Sequence, residues 1–207
     1  MNEPEKFQPW ATIWLDPRGT IRQIIETNPK KSMLLLIVLG GLGITLRNSA
    51  IMGLADMMPF GQVIVFCLMA APLSGVINVY LGGWLLHMTT RFFGGFATKQ
   101  ELRIAVAWSL APIVYLLPLW GVKYILFREE LFKVEKPFIQ DDQFLSGLFG
   151  FFDIVDFFVT LFTLFILFNV IAEVNGFSLW KSIGSIGILL IIATIPTMLL
   201  LRFFTAM

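Results

Sequence analysis

The chain has 207 residues, of which 57% are hydrophobic and only 14% are charged, and its formal net charge is +1. A soluble domain carries about 25% charged residues, and a water-soluble fold of this size could not hide so much apolar surface. The balanced charge provides no field that would attract nucleic acid, and the single Cys67 excludes an intramolecular disulfide and a cysteine metal cluster. We therefore expect an integral membrane protein that binds no nucleic acid.

The first 31 residues form a polar segment ahead of the first apolar run. Asp16 and Pro17 are a typical helix start, with an N-cap side chain and a proline at the first helical position. Ile21 and Ile24 then fall on one face of the helix, and two tryptophans lie just upstream. This pattern predicts a short amphipathic helix in the interface of a cytoplasmic N-terminal segment. An ordinary juxtamembrane linker is the alternative.

Five apolar runs follow, and each is long enough to cross the hydrocarbon core, which takes about 20 helical residues. Residues 32–207 are therefore predicted to form an all-α, polytopic bundle of five transmembrane helices. The second run is longer than a span requires, so we expect it to tilt or to break near Pro72. The runs are bounded in turn by Lys31 and Arg47 (continuing to Ala55), Asp56 and Arg91, Arg103 and Lys123, Phe144 and Ala172, and Lys181 and Arg202.

The distribution of Lys and Arg predicts the orientation of these spans. With five spans, nine of the fifteen basic residues lie on the side of the N-terminus and six lie on the other side. Cytoplasmic flanks carry the excess of basic residues, so we expect a cytoplasmic N-terminus and an external C-terminus. The loop of residues 123–143 is the discordant one, because its four bases are accompanied by five acids.

A stripe of small and polar residues marks one face of the second run. Ser74, Asn78 and Gly82 repeat every four residues, which is the spacing of one helix face. Small residues allow membrane helices to approach closely, and an Asn on such a face can form an interhelical hydrogen bond. We interpret the stripe as packing within the chain in preference to a dimer seam.

Two carboxylates lie inside the fourth run, where ionisable groups are rare. Asp153 and Asp156 are three residues apart and share a helix face. Counted from Glu173 at about 1.5 Å per residue, Asp153 reaches the outer boundary of the membrane, the side on which Lys123 and Arg47 end their runs. This arrangement favours a structural ion pair, and a cation or proton site is the alternative.

Enzyme signatures are absent from the sequence. The single histidine, His87, cannot supply the two imidazoles of a zinc protease motif. The sequence contains no Gly-x-Ser-x-Gly nucleophile motif and no glycine-rich phosphate loop followed by lysine. We therefore expect no catalytic site, no metal site and no cofactor.

Three motifs occur in a fixed order relative to the apolar runs. They are Trp14-Leu15-Asp16-Pro17-Arg18 before the first run, Phe93-Gly94-Gly95-Phe96 leading to Pro112 in the third, and Gly176-Phe177-Ser178 between the fourth and fifth. Together they resemble the Yip family of Ypt/Rab-interacting membrane proteins, particularly its bacterial members. The resemblance covers essentially the whole chain and implies a five-span membrane protein without enzymatic activity.

The chain departs from the eukaryotic members in two motifs. Those proteins have a longer N-terminal domain with an Asp-Leu-aromatic-Gly-Pro motif linked to Rab binding, where this chain has Trp-Leu-Asp-Pro. Phe177 stands where the family pattern Gly-Tyr-Ser has tyrosine. Rab binding is therefore not carried over, and the short tail and compact loops are typical of proteins from a prokaryotic plasma membrane.

These observations together predict a scaffold or accessory protein of the cell inner membrane. Its expected partners are the lipid bilayer and other membrane proteins, among them transporters, and homo-oligomerisation is left open. Such a protein would organise membrane protein complexes or contribute to membrane trafficking and homeostasis. The alternative is a small transporter, a permeability factor or a transporter subunit that uses Asp153 and Asp156.

The predicted orientation can be tested with reporter fusions. Fusions after Thr98 and after Ser178 should read cytoplasmic, whereas fusions after Lys136 and at Met207 should read external, because successive loops alternate across the membrane. Paired alkaline phosphatase and fluorescent protein reporters measure this directly. A cytoplasmic reading at Met207 would contradict the count of five spans.

Overall fold

The computed structural model describes residues 8–30 and 32–205, with side chains through Ile192 and at Thr194. Lys31, which bounds the first predicted span, and Met207, the last predicted fusion site, lie outside the described residues, as does the side chain of Arg202. What the sequence predicts for them stays a prediction.

Every regular element in the described part of the chain is helical, which confirms the predicted fold class at this level. A π-helical segment, Ile77–Leu81, and a 3-10 turn, Arg128–Phe132, lie between α-helices. The α-helices are α1 (Pro9–Thr12), α2 (Pro17–Thr27), α3 (Met33–Ile51), α4 (Leu54–Met57), α5 (Phe60–Val76), α6 (Gly82–Phe92), α7 (Lys99–Ser109), α8 (Ala111–Phe127), α9 (Pro137–Asp141), α10 (Gln143–Asn175) and α11 (Leu179–Thr205).

Four helical stretches of the described residues are long and apolar enough to cross a membrane. The part of α11 whose side chains are described, Leu179–Ile192, is apolar but shorter than a membrane span, so the fifth span stays a prediction. The four stretches are Met33–Ile51, Phe60–Phe92, Lys99–Phe132 and Gln143–Asn175. We call the end of the bundle that carries residues 93–98 and 176–178 the motif end, and the end that carries residues 128–142 the loop end.

The second span contains an irregularity near the predicted proline. Pro72 cannot donate a backbone hydrogen bond to the preceding turn, and the helix widens into the π-segment Ile77–Leu81 one turn later. The helix therefore continues past Pro72, and the irregularity lies five residues beyond it. A π-turn holds more residues than an α-turn, so it rotates the faces of α6 relative to those of α5.

The closest helix contact joins α3 to α5 through two glycines. A Cβ atom added to Gly75 would lie 1.8 Å from the carbonyl oxygen of Ile37, and one added to Gly41 would lie 2.1 Å from that of Ala71. Neither distance leaves room for a side chain, so the two backbones touch directly. This is the close approach that small residues permit between membrane helices.

The predicted stripe lies beside this seam, and its three members do not act together. The Ser74 hydroxyl accepts a hydrogen bond from Thr45 Oγ1 at 3.0 Å. The Asn78 side chain makes no hydrogen bond to any described residue, and a Cβ atom added to Gly82 would meet nothing within 4 Å. Because the π-segment rotates the helix after Val76, a repeat of four residues no longer follows one face.

The N-terminal segment packs into the bundle itself. Ile13, Ile21 and Ile24 are fully buried in the same apolar cluster as Leu102 and Trp108 of α7. Helix α2 lies along α10 and also contacts α7. The isoleucine face that the sequence assigns to α2 is therefore covered by protein.

Two glycine substitutions compare a closely packed position with an open one. Gly75→Ala should lower the free energy of unfolding by about 1–3 kcal/mol or more, because the added methyl group overlaps the Ile37 carbonyl group. Gly82→Ala is the matched control, and it should be neutral or stabilise by up to about 1 kcal/mol, since alanine favours the helix. Thermal unfolding in mild detergent measures both, and equal effects would contradict the assigned seam.

Candidate functional site

A buried ion pair joins the third and fourth spans near the loop end. Lys123 Nζ donates a hydrogen bond to Asp156 Oδ2 at 2.6 Å, and Lys123 is only 2% exposed. The ammonium also lies 4.5 Å from the ring centroid of Trp120. Because α8 continues to Phe127, Lys123 lies one turn inside its helix and does not close the span as its position in the sequence suggests.

A hydrogen-bonded threonine links the first span to this pair. Arg47 Nη1 donates to Thr160 Oγ1 at 2.6 Å, and the Thr160 hydroxyl donates to the Asp156 carbonyl oxygen at 2.7 Å. Among the described residues, neither Arg47 nor Asp153 forms a salt bridge. Of the four charges that the sequence groups together, the structure therefore pairs two and leaves two beside them.

These side chains surround a cavity of about 300 Å³, which we call the charged cavity. It is lined by Arg47, Trp120, Lys123, Lys136, Asp153 and Asp156, together with apolar side chains. The Oδ1 atom of Asp156 is buried and has no hydrogen-bond partner among the described residues. A second cavity of about 230 Å³ also contacts Arg47, Trp120 and Asp156. The charged cavity thus holds both signs of charge and an unused acceptor atom.

The loop of residues 128–142 brings Lys136 to the charged cavity. The buried carboxylate of Glu130 accepts hydrogen bonds from the backbone N–H groups of Phe138 at 2.8 Å and Ile139 at 2.9 Å. Asp56 accepts one from the N–H of Val134 at 2.8 Å. Burial lowers the pKa of Lys136, and nearby carboxylates, Asp153 first among them, oppose that shift. The sequence shows Lys136 only as one base of a mixed loop, because nothing local to it indicates this fold.

The first sequence motif fastens the N-terminal segment to α10. Asp16 caps α2 by accepting a hydrogen bond from the N–H of Gly19 at 2.9 Å, and Pro17 occupies the first helical position. Arg18 Nε then donates to Asn169 Oδ1 at 3.0 Å. The Trp14 ring stacks on Phe162 with centroids 5.1 Å apart.

One turn further along α2, Arg22 Nε donates to Glu173 Oε1 at 2.7 Å. Arg18 and Arg22 are four residues apart, and so are their partners Asn169 and Glu173. This matched spacing is the signal by which the sequence could have revealed the contact. Read from the sequence alone, Glu173 marks only the membrane boundary of the fourth span.

The second and third motifs meet at the motif end. A Cβ atom added to Gly95 would lie 2.3 Å from Asn175 Oδ1, and the same oxygen accepts a long hydrogen bond of 3.4 Å from the N–H of Ala97. Gly176 ends α10 with a φ of 62°, a left-handed conformation that favours glycine, and the Phe96 ring packs against it. Asn175 is 1% exposed and holds the two turns together.

The remaining motif residues also have structural positions. Gly94 has a φ of 77°, and Pro112 lies in the first turn of α8, just after the break at Leu110 between α7 and α8. Phe177 packs against the apolar cluster described above, and the Ser178 carbonyl accepts from the Lys181 N–H at 3.1 Å at the start of α11. The motifs therefore build turns and caps, and the charged cavity lies at the opposite end of the bundle.

Comparison with known proteins identifies one family. The family model described as Yip1 domain matches residues 11–201, nearly the whole chain and all three motifs. No curated protein and no solved structure matches the chain. The match confirms the resemblance that the motifs indicate.

The buried pair predicts a strong coupling between two side chains. Lys123→Ala and Asp156→Asn should each lower the free energy of unfolding by about 3–5 kcal/mol, because each leaves one buried charge without its partner. The double variant should lose less than the sum of the two. Thermal unfolding in detergent measures the cycle.

The control for this cycle is the exposed pair of Lys133 and Glu129. Lys133→Ala should change stability far less than either variant of the buried pair, since an exposed pair is weakened by solvent. Additive losses in the Lys123 and Asp156 cycle would show that the two side chains do not interact.

Proposed function

Because the chain belongs to the Yip1 domain family, we propose that it is a non-enzymatic accessory protein that organises other proteins within a membrane. Its membrane location rests on the family and on the four apolar spans of the described residues. The proposal extends to five spans in a prokaryotic plasma membrane, with the N-terminus in the cytoplasm and the C-terminus outside. The excess of Lys and Arg on the N-terminal side supports this orientation.

One observation supports an accessory role over transport: the polar groups around Asp156 and those around Ser74 form two separate sets of contacts. Lys123 is paired with Asp156, and Thr45 is bonded to Ser74. The two cavities that contact Asp156 are lined by α3, α8, α10 and the loop, and neither reaches Ser74 or Asn78. A transport pathway needs a polar route through the bundle, so this separation supports an accessory role.

The motifs give the proposal further support. The motif residues and their neighbour form helix ends and helix contacts, as Arg18, Gly95, Asn175 and Gly176 do. The motifs of an enzyme family would be expected to contain reactive groups. These contacts hold the turns of the motif end together, and its outer surface could bind a neighbouring membrane protein. Large aromatic side chains are exposed there, among them Phe92 at 78% and Trp180 at 80%.

A small transporter is the second candidate, and a specific observation favours it. Asp156 Oδ1 has no partner among the described residues, and Asp153 forms no salt bridge there. A carboxylate with free acceptor atoms in a membrane span is a common feature of proton and cation pathways. The experiment must therefore separate the two candidates.

Site-specific photocrosslinking in intact cells, combined with a flux assay, tests the proposal. A photoreactive side chain at Trp180 or Phe92 should yield a discrete adduct with another membrane protein, because both positions are exposed at the motif end. Phe158, which is 62% exposed on the surface of α10, is the control position and should yield none. The purified chain in liposomes should carry no ion or proton flux.

Two outcomes would contradict the accessory role. One is the lack of a discrete adduct at both Trp180 and Phe92. The other is a flux in liposomes that Asp156→Asn abolishes while the variant remains folded, and this result would establish the transporter in its place.

A further inference from the structure

The charged cavity is lined by charged side chains besides its ion pair. Lys123 and Asp156 neutralise each other at 2.6 Å. Arg47, Lys136 and Asp153 line the same space and form no salt bridge among the described residues. Three cations and two carboxylates leave the cavity with an excess of one positive charge, which one monoanionic group would balance.

The surroundings of the cavity match a molecule that is charged at one end and apolar at the other. Ile51 and Phe157 line it and are 70% and 57% exposed, so the cavity adjoins the surface that faces the lipid chains. Lys136 reaches it from the loop beyond the third span, whereas Lys123 reaches it from inside that span. A site between a membrane span and the loop that follows it lies where the headgroups of a bilayer meet its acyl chains.

The polar atoms of the cavity call for both an anion and a hydrogen-bond donor. The Arg47 guanidinium and the Lys136 ammonium are the groups that bind phosphate oxygens. Asp156 Oδ1 is buried without a partner among the described residues, and an unsatisfied buried acceptor is costly until an O–H or N–H group reaches it. The volume of about 300 Å³ lies at the lower end of small-molecule sites, so it admits a headgroup but not a whole lipid.

We propose that the charged cavity binds the headgroup of an anionic phospholipid that carries free hydroxyls, as phosphatidylglycerol does. The phosphodiester contacts Arg47 and Lys136, and the headgroup hydroxyls donate to Asp156 Oδ1 and Asp153. The acyl chains lie beside Ile51 and Phe157. Phosphatidylethanolamine supplies a donor but leaves the positive charge unbalanced, and phosphatidylcholine supplies neither a donor nor a net negative charge.

Native mass spectrometry of the delipidated full-length chain tests this directly. The probes are dioleoyl-phosphatidylglycerol, dioleoyl-phosphatidylethanolamine and dioleoyl-phosphatidylcholine, which differ only in their headgroups. The phosphatidylglycerol lipid should bind about tenfold more tightly than the phosphatidylcholine lipid, because it adds charge-assisted and hydroxyl hydrogen bonds. Soluble sn-glycerol 3-phosphate is the fourth probe, and it should not displace the bound lipid.

Two variants and a matched control assign the binding to the cavity. Arg47→Gln and Lys136→Gln should each weaken phosphatidylglycerol binding about tenfold, since each removes one contact to the phosphate. Lys133→Gln is the control, because Lys133 lies in the same loop, pairs with Glu129 and does not line the cavity. Thermal unfolding verifies that each variant is folded, and Lys136→Gln serves alone if Arg47→Gln is not.

Three results would overturn the proposal. The first is equal affinity for the three lipids, and the second is unchanged phosphatidylglycerol affinity in every folded cavity variant. The third is displacement of the lipid by glycerol 3-phosphate at similar concentration, which would assign the cavity to a soluble phosphate ester.

Discussion

The burial of Lys123 constrains how three of the spans meet. An ammonium inside an apolar helix needs an opposite charge within reach, because neither lipid nor packed protein can solvate it. Asp156 supplies that charge from α10, and its carbonyl oxygen accepts the hydrogen bond of Thr160, which in turn binds Arg47 of α3. One buried cation therefore fixes the register of α8 against α10, and a chain of hydrogen bonds extends that register to α3.

Helix α10 carries this register to the other end of the bundle. Its 33 residues run from the loop end to the motif end, where Asn169 and Glu173 receive Arg18 and Arg22 of the N-terminal segment. Asn175 then closes its last turn against Gly95. Helix α10 thus connects the charged groups near one of its ends to the residues that contact the family motifs near the other.

Much of this architecture could be predicted from local patterns in the sequence. The Asp16 and Pro17 helix start, the four apolar spans and the Gly176 turn depend on residues close in the chain, and all are present in the structure. What could not be predicted depends on contacts between distant residues. The departure of Asn78 and Gly82 from the helix face of Ser74 could not be predicted, because it depends on a π-segment that rotates the helix after Val76. The position of Lys136 at the cavity could not be predicted, because the fold of its loop depends on backbone hydrogen bonds to the Glu130 carboxylate.

The position of the N-terminal segment determines when its native contacts can form during synthesis. Arg18 and Arg22 bind partners that lie 151 residues further along the chain, and Trp14 stacks on Phe162 about 16 Å nearer the loop end than Glu173. These contacts form only after α10 has been synthesised and has entered the membrane, whereas the contact of α2 with α7 can form earlier. Until α7 is in place, the apolar face of Ile21 and Ile24 needs another cover, which the membrane interface or the insertion machinery must provide.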